Sequence, residues 1–231
     1  MVRGALVDFG GTIDTDGIHW MQMFGMAYQS CGLPTDGLRD AYVYAERYLG
    51  GNAVIRPDFT FRETLRRKIL LQLDFLRLNA DAGMLLDYCY NYVSDNIGNV
   101  AFPVLQELSG RMPLALVSNF YGNMHTVLCE FDIGRFFSAV VESAVAGIRK
   151  PDPEIFRLGA RAIGLEPDET VAIGDSPDKD IIPAAAAGCS TVWLSGSGWS
   201  DTAVCKADCT ISSLRELPEI PLISGNPQSN L

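Results

Sequence analysis

The chain has 231 residues, is 48% hydrophobic and carries a formal net charge of −10. That composition supports a sizeable buried core in one or two domains, and the acidic balance argues against a nucleic-acid backbone as partner while suiting a divalent cation. No apolar run approaches a membrane span, and no basic-then-apolar leader precedes the first acidic residue, Asp8, so the expected protein is globular, off the membrane and cytoplasmic.

In chain order, Gly4–Val7 is a short apolar run that stops at Asp8 and is followed by Gly10, Gly11 and Thr12. This is the pattern of a buried strand delivering one carboxylate to an open loop. From Asp16 to Gly98 the texture is helical. Amphipathic stretches at Ile18–Ser30, Gly37–Leu49, Phe61–Leu78 and Asp81–Asn96 are separated by Gly/Pro-containing segments. In the third, Phe61, Leu65, Ile69, Leu73 and Leu76 recur at three- and four-residue spacing and form one apolar stripe.

Beyond Pro103 short apolar runs alternate with helical patterns. Strands are expected at Pro113–Ser118, Ala139–Val141, Thr170–Gly174, Thr191–Leu194 and Asp208–Ser212. Helices are expected at Met124–Phe131, Glu154–Ile163, Lys179–Ala187 and Leu214–Leu217. Such alternation predicts an α/β fold, a doubly wound parallel sheet of Rossmann-like type with an inserted α-helical unit. The expected division is a core of residues 1–14 and 99–222, a helical insert of 15–98 and a loosely ordered tail of 223–231. The cysteines Cys31, Cys89, Cys129, Cys189, Cys205 and Cys209 lie mostly in apolar segments without a CxxC pair, which reads as reduced core residues.

Ligands of such sheets bind beyond the carboxyl ends of the strands. The polar residues collected there are Asp8, Ser118 with Asn119, and Asp175, with Lys150 on a loop that could reach them. A carboxylate that attacks phosphorus approaches an anion, so a cation and hydrogen-bond donors must neutralise the phosphoryl oxygens. Asp8 is the candidate nucleophile, Ser118 and Lys150 the donor and the positive charge, and Asp175 with Asp180 the carboxylates that face a Mg²⁺ shared with Asp8. Asp178 falls in the first turn of the expected helix and suits its positive end.

The ordered set Asp8-Phe-Gly-Gly-Thr12, Val117-Ser118-Asn119, Lys150-Pro-Asp-Pro-Glu154-Ile-Phe156 and Gly174-Asp175-Ser-Pro-Asp-Lys-Asp180 resembles the haloacid dehalogenase superfamily of hydrolases, in its branch with a helical cap after the first motif. The resemblance covers nearly the whole chain. It implies a Rossmann-like core, a mobile cap, Mg²⁺ and an aspartyl-phosphate intermediate on Asp8. The phosphoryl group of a small phosphorylated metabolite would be held by Thr12, Ser118, Asn119 and Lys150, and the metal by Asp8, the Gly10 carbonyl, Asp175 and Asp180.

One position departs from that pattern. Most phosphatases of the superfamily carry a second Asp two residues after the nucleophile, which protonates the leaving alcohol, and here that position is Gly10. General acid help worth about 10²–10⁴-fold has lost its usual donor. Four readings stay open: a substrate with a good leaving group, a stand-in donor among Asp14, Asp16 and His19, cleavage of a phosphonate or carbon–halogen bond, or a degenerate protein that binds Mg²⁺ and phosphate without turnover. A phosphonate mechanism would draw on Lys68, which with Arg62, Arg66 and Arg67 otherwise reads as a solvated helix face. Arg56, Tyr121 and Asn123 are further contacts without an assigned role, and no motif specifies an oligomeric state.

Overall fold

The computed structural model describes residues 1–51, 54–196 and 206–224; Cys205 and residues 225–231 of the expected tail lie outside them. The first strand, β1 (Gly4–Val7), leads through the Asp8–Ile13 loop into four helices, α1 (Trp20–Ser30), α2 (Leu38–Gly51), α3 (Phe61–Phe75) and α4 (Ala82–Asn96). Then follow α5 (Phe102–Ser109), β2 (Leu114–Ser118), α6 (Met124–Glu130), β3 (Ala139–Glu142), α7 (Ser143–Ala146), α8 (Glu154–Ala162), β4 (Thr170–Gly174), α9 (Ile182–Ala187), β5 (Ser190–Leu194), β6 (Cys209–Ile211) and α10 (Pro221–Ser224). The six strands form one sheet in the order β3-β2-β1-β4-β5-β6, and every neighbouring pair is parallel.

Strand periodicity builds the two faces of this sheet. Ala5, Val7, Leu114, Leu116, Val171 and Ile173 point to one side, into an apolar cluster that continues through Phe9, Trp20, Phe24, Phe61, Leu105 and Leu128. The alternate residues Leu6, Ala115, Val117 and Ala172 point to the other, against Ile155, Phe156 and Ala160 of α8 and Ala184 and Ala187 of α9. Both faces are covered by helices, which is why the central strands are apolar along their whole length. The order reverses at β1, whose neighbours are β2 and β4, so the carboxyl ends of these three strands frame a crevice at the topological switch point.

The helical stretches begin and end close to where periodicity puts them. A capping box opens α3, with Thr60 accepting from the Glu63 amide and Glu63 from the Thr60 amide. The helix expected at 179–187 is shorter, because a wide turn occupies Pro177–Ile181 and regular helix starts only at Ile182. Helix α5 is absent from the pattern reading; its signal is Pro103 in the first turn, which pre-sets helical φ where no amide partner is needed. Among the described residues no helix is long and apolar enough to cross a membrane.

Helix α8 lies unusually close to the sheet at Gly159, where an added Cβ would stand 2.7 Å from Val117 Cγ2 and 3.4 Å from Leu6 Cδ2. Gly159→Ala is therefore expected to destabilise the protein by about 1–3 kcal/mol in urea unfolding through overpacking, despite the better helix propensity of Ala.

Candidate active site

Three strand ends and one loop assemble the site. The Asp8 amide still donates to Ile173 O of β4 at 3.0 Å, so the nucleophile candidate is fixed in register by the sheet. The chain then turns through Gly11 at φ 90°, where an added Cβ would fall 2.3 Å from Asp175 Oδ2. Only glycine both adopts that φ and lets the Asp175 carboxylate settle on the loop. At the end of β4, Asp180 Oδ2 accepts from the Ser176 amide at 3.0 Å, closing the turn that carries both acidic residues. Asn119, just past β2, donates its side-chain amide to Lys150 O at 3.0 Å and accepts from Lys150 N at 2.9 Å. These two bonds hold the Lys150 backbone, and its Nζ donates to Asp8 Oδ1 at 2.5 Å and Asp180 Oδ1 at 2.6 Å.

Asp8, Asp175 and Asp180 each present a carboxylate oxygen within 4.8 Å of the others. Burial raises the Asp8 pKa to about 6 even though Lys150 pulls it down. Asp175 is raised well above the ordinary value by burial and by the charges of Asp180 and Asp8. For Lys150, burial opposes the charge but the two carboxylates outweigh it, so the pKa is raised and the side chain stays an ammonium. Three carboxylates facing one ammonium are short of positive charge when all are ionised. A hard divalent cation with oxygen ligands fits that donor set and that deficit.

The remaining candidates separate by their hydrogen bonds. Ser118 ends β2 fully buried, opposite Glu142 in the β3 register. Thr12 Oγ1 lies 3.5 Å from both Asp8 Oδ2 and Asp175 Oδ1, between the two carboxylates. Asn119 has both ends of its amide on Lys150, so it positions the lysine rather than presenting a free donor. Gly10 is exposed, and apart from its chain neighbours no atom of the described residues lies within 4 Å of where its Cβ would be. The three proposed stand-ins are engaged. Asp14 accepts from Gly11 N at 2.6 Å and Trp20 Nε1 at 2.7 Å, with burial raising its pKa to about 7. Asp16 accepts from Ser213 Oγ and Leu214 N at 2.7 Å each, tying the first loop to the C-terminal segment. His19 caps α1 by accepting the Met21 amide on Nδ1 at 3.1 Å, and burial, with Lys179 nearby, lowers its pKa to about 4.

Lys68 corrects the expectation of a solvated face. It is 9% exposed and ion-paired with Glu46 of α2 at 2.5 Å, because position 68 lies one turn beyond buried Thr64 and borders the apolar stripe. Its neighbours Arg62, Arg66 and Arg67 are not so buried, and Arg62 pairs with Asp87. Arg56 is exposed and pairs with Asp58 at 2.9 Å, and Asp178 is exposed in its first turn. Tyr121 donates to Glu46 Oε2 at 2.5 Å, and Asn123 Nδ2 donates to Phe59 O and Thr64 Oγ1 at 2.8 Å each. The loop after β2 thus grips α2 and α3. Glu46 and Trp20 belong to this surround and were not singled out by motif; a Glu and a Lys facing each other across two helices leave no mark in linear spacing.

A family model described as a haloacid dehalogenase-like hydrolase matches residues 2–188. The chain belongs to that family. This hydrolase is 33% identical over 107 residues to a phosphoserine phosphatase of Thermus thermophilus, covering 46% of this chain and 43% of that protein. It is 39% identical over 94 residues to a glyceraldehyde 3-phosphate phosphatase of Methanocaldococcus jannaschii, covering 40% and 41%. In both alignments the hydrolase spans less than half the length of the curated relative. The magnesium-bound HAD-hydrolase YfnB from Bacillus subtilis superposes with a TM-score of 0.58 at 20% identity, over 94% of this chain and 97% of that one. A 2-haloacid dehalogenase from Pseudomonas syringae pv. Tomato DC3000 superposes at a TM-score of 0.55 and 21% identity, over 97% of this chain and 99% of that one, and so shares the fold.

Two stability measurements test this geometry. Asp175→Asn removes one of three crowded carboxylates, so in chelator it is expected to raise stability by about 1–3 kcal/mol, and the increase in Tm produced by Mg²⁺ on the wild type is expected to be lost. For His19, the folded pKa lies below the unfolded value of 6.5, so its contribution is present above about pH 6.5 and is lost as pH falls toward 4. His19→Asn keeps a capping acceptor without that titration. Between pH 7.5 and 4.5 the wild type is expected to lose about 1–2 kcal/mol relative to the variant in urea unfolding.

Proposed function

We infer that this protein is a Mg²⁺-dependent hydrolase that takes a phosphoryl group from a small phosphorylated metabolite onto Asp8 and then releases it to water. The observation that carries this reading is the convergence of Asp8, Asp175 and Asp180 within 4.8 Å at the carboxyl edge of a parallel sheet, with Lys150 bridging two of them. Asp8, Asp175, Asp180 and the Gly10 carbonyl would hold the metal, which when bound supplies charge to the phosphoryl oxygens. In the same reading residues 1–14 and 99–222 form the catalytic core, and the helices of 15–98 a cap over it.

The chain's own groups divide the work. The carboxylate of Asp8, held by its backbone bond to β4, attacks in line, and Lys150 keeps it ionised despite burial and offers positive charge to the transferring group. Ser118 and Thr12 add hydroxyl donors, and Asn119 keeps Lys150 in place. Among the described residues no group beside Gly10 is placed to carry a proton to the leaving oxygen, and Asp14, Asp16 and His19 are each bonded elsewhere. Leaving groups that need little protonation, such as acyl phosphates, are therefore the substrates best served.

Two other bonds fit less well. A carbon–halogen mechanism needs no metal, yet Asp175 and Asp180 beside Asp8 demand compensating charge. A Schiff-base route to phosphonates needs a neutral amine, yet Lys68 has its pKa raised, with burial outweighed by the charges of Glu46 and Tyr42. Gly10 itself favours one second reading, a protein that binds Mg²⁺ and phosphate without turnover.

The decisive comparison is wild type, Gly10→Asp and Asp8→Asn on acetyl phosphate, an aryl phosphate and sugar phosphates, with and without Mg²⁺. A Cβ at Gly10 meets nothing within 4 Å apart from its chain neighbours among the described residues, so the substitution starts without a clash. Wild type is expected to favour acetyl phosphate, and Gly10→Asp to gain about 10²-fold or more on sugar phosphates. Asp8→Asn is expected to abolish all turnover with the fold intact. Mg²⁺-dependent vanadate binding without hydrolysis of any substrate would select the binding-protein reading instead.

A further inference from the structure

Trp193 lies on β5 in register with Gly174, the last residue of β4 and the one before Asp175. Its indole Nε1 donates to Asp175 O at 3.0 Å. The amide of the next residue, Ser176, donates to Asp180 Oδ2 at 3.0 Å. The carbonyl of Asp175 and the N–H of Ser176 are the two ends of one planar peptide group, so that plane is fixed by the indole on one side and by the Asp180 carboxylate on the other. Trp193 is only partly buried, so solvent is near enough to satisfy an indole N–H, and burial does not impose its bond to the acidic turn.

Little else holds Asp175. Lys150 bonds Asp8 and Asp180 but not Asp175. Among the described residues the Asp175 carboxylate has one hydrogen-bond partner, Thr12 Oγ1, at a long 3.5 Å. Carboxylate oxygens of Asp8 and Asp180 stand within 4.8 Å of it, close enough to repel it when ionised. The side chain's own bonding resists that repulsion weakly, so the backbone that carries it sets its direction. Asp180 belongs to the same turn: its amide donates to Ser176 O at 2.8 Å, and its carboxyl lies against Gly174, where an added Cβ would fall 2.4 Å from Asp180 Cγ. One peptide group therefore governs how two of the three carboxylates stand to each other.

We propose that Trp193 is a positioning residue for the divalent cation: through the Asp175–Ser176 peptide it holds Asp175 and Asp180 at the mutual geometry that Mg²⁺ requires, and it thereby sets a preference for Mg²⁺ over Ca²⁺. The inference rests on the metal-dependent reading above and deepens it. Mg²⁺ demands near-ideal octahedral geometry at short ligand distances, whereas Ca²⁺ accepts irregular geometry and a variable number of oxygen ligands. Without the indole bond the peptide is free to tilt, and mutually repelling carboxylates spread apart. A site widened in that way loses more for the smaller and stricter ion. Hydrogen bonds that orient metal ligands are typically worth about 10–100-fold in metal affinity. The indole reaches only the backbone of the turn, and indole N–H is a donor without acceptor capacity, so Trp193 is not itself a ligand.

The test is calorimetric titration of the chelator-stripped protein with MgCl₂ and with CaCl₂, which is independent of turnover. Trp193→Phe keeps an aromatic ring on β5 and removes only the donor. Relative to wild type it is expected to weaken Mg²⁺ binding about tenfold and Ca²⁺ binding by less than about threefold. An unchanged Mg²⁺ affinity overturns the proposal, and so does an equal loss for both ions, which is what a general loosening of the fold would produce. Should Trp193→Phe not fold, the wild type labelled with ¹⁵N at tryptophan carries the test: hydrogen exchange at the Trp193 indole N–H is expected to slow about tenfold or more when Mg²⁺ saturates the protein, because a fixed ligand geometry holds the peptide carbonyl in place. An exchange rate that Mg²⁺ does not alter overturns the proposal. Wild type that binds no Mg²⁺ would overturn the metal-dependent reading together with it, whereas tight Mg²⁺ binding unaffected by Trp193→Phe would sink the positioning role alone.

Discussion

Lys150 sits with its ammonium between Asp8 and Asp180, almost wholly out of solvent, and the site is arranged around that placement. A buried carboxylate without compensation costs several kcal/mol, and two side by side cost more. One ammonium hydrogen-bonded to both resolves the problem for that pair only if its backbone cannot drift, which is the task of the two Asn119 bonds. Asp175 is left outside this arrangement. Burial and the charges of Asp180 and Asp8 push it toward its neutral form, and a divalent cation would relieve that pressure.

The same crevice combines a complete electrostatic apparatus with an incomplete proton path. In the proposed reaction, charge on the transferring phosphoryl group would be met by fixed groups in a buried setting, where they act at low effective dielectric. In that proposal, protonation of the leaving oxygen has no such fixed group among the described residues around Gly10, which carries no side chain. Under that proposal the catalytic burden moves toward the substrate's own leaving tendency. Contacts from Tyr121 and Asn123 of the loop after β2, and from Thr126 and Glu130 of α6, tie the helical segment directly to that side of the crevice.

Much of the fold was legible in the residues. Leu6 and its neighbours Ala5 and Val7 pack on opposite faces, as alternation requires, and the apolar runs at 114–118 and 170–174 are strands. Asp8, Asp175 and Asp180 were readable as a set because strand ends in a parallel sheet share one edge. Thr12 and Asn119 were picked out as candidate site residues, but their partners were not, since which atoms a short side chain meets depends on loops far away in sequence. Asp16 and His19 looked like candidate acids, and the structure engages them as a tether to Leu214 and as a helix cap.

What the sequence alone determined is the parallel α/β architecture, the identity of the acidic set and the missing carboxylate at Gly10, because strand periodicity and motif spacing are local quantities. Tertiary structure decided the rest. It brought Glu46 of α2 against Lys68 of α3, buried Gln72 without a partner, and turned a run of cations into one neutralised lysine and a set of surface arginines. Charge compensation acts over a few ångströms in space, and only packing puts residues 22 positions apart at that distance.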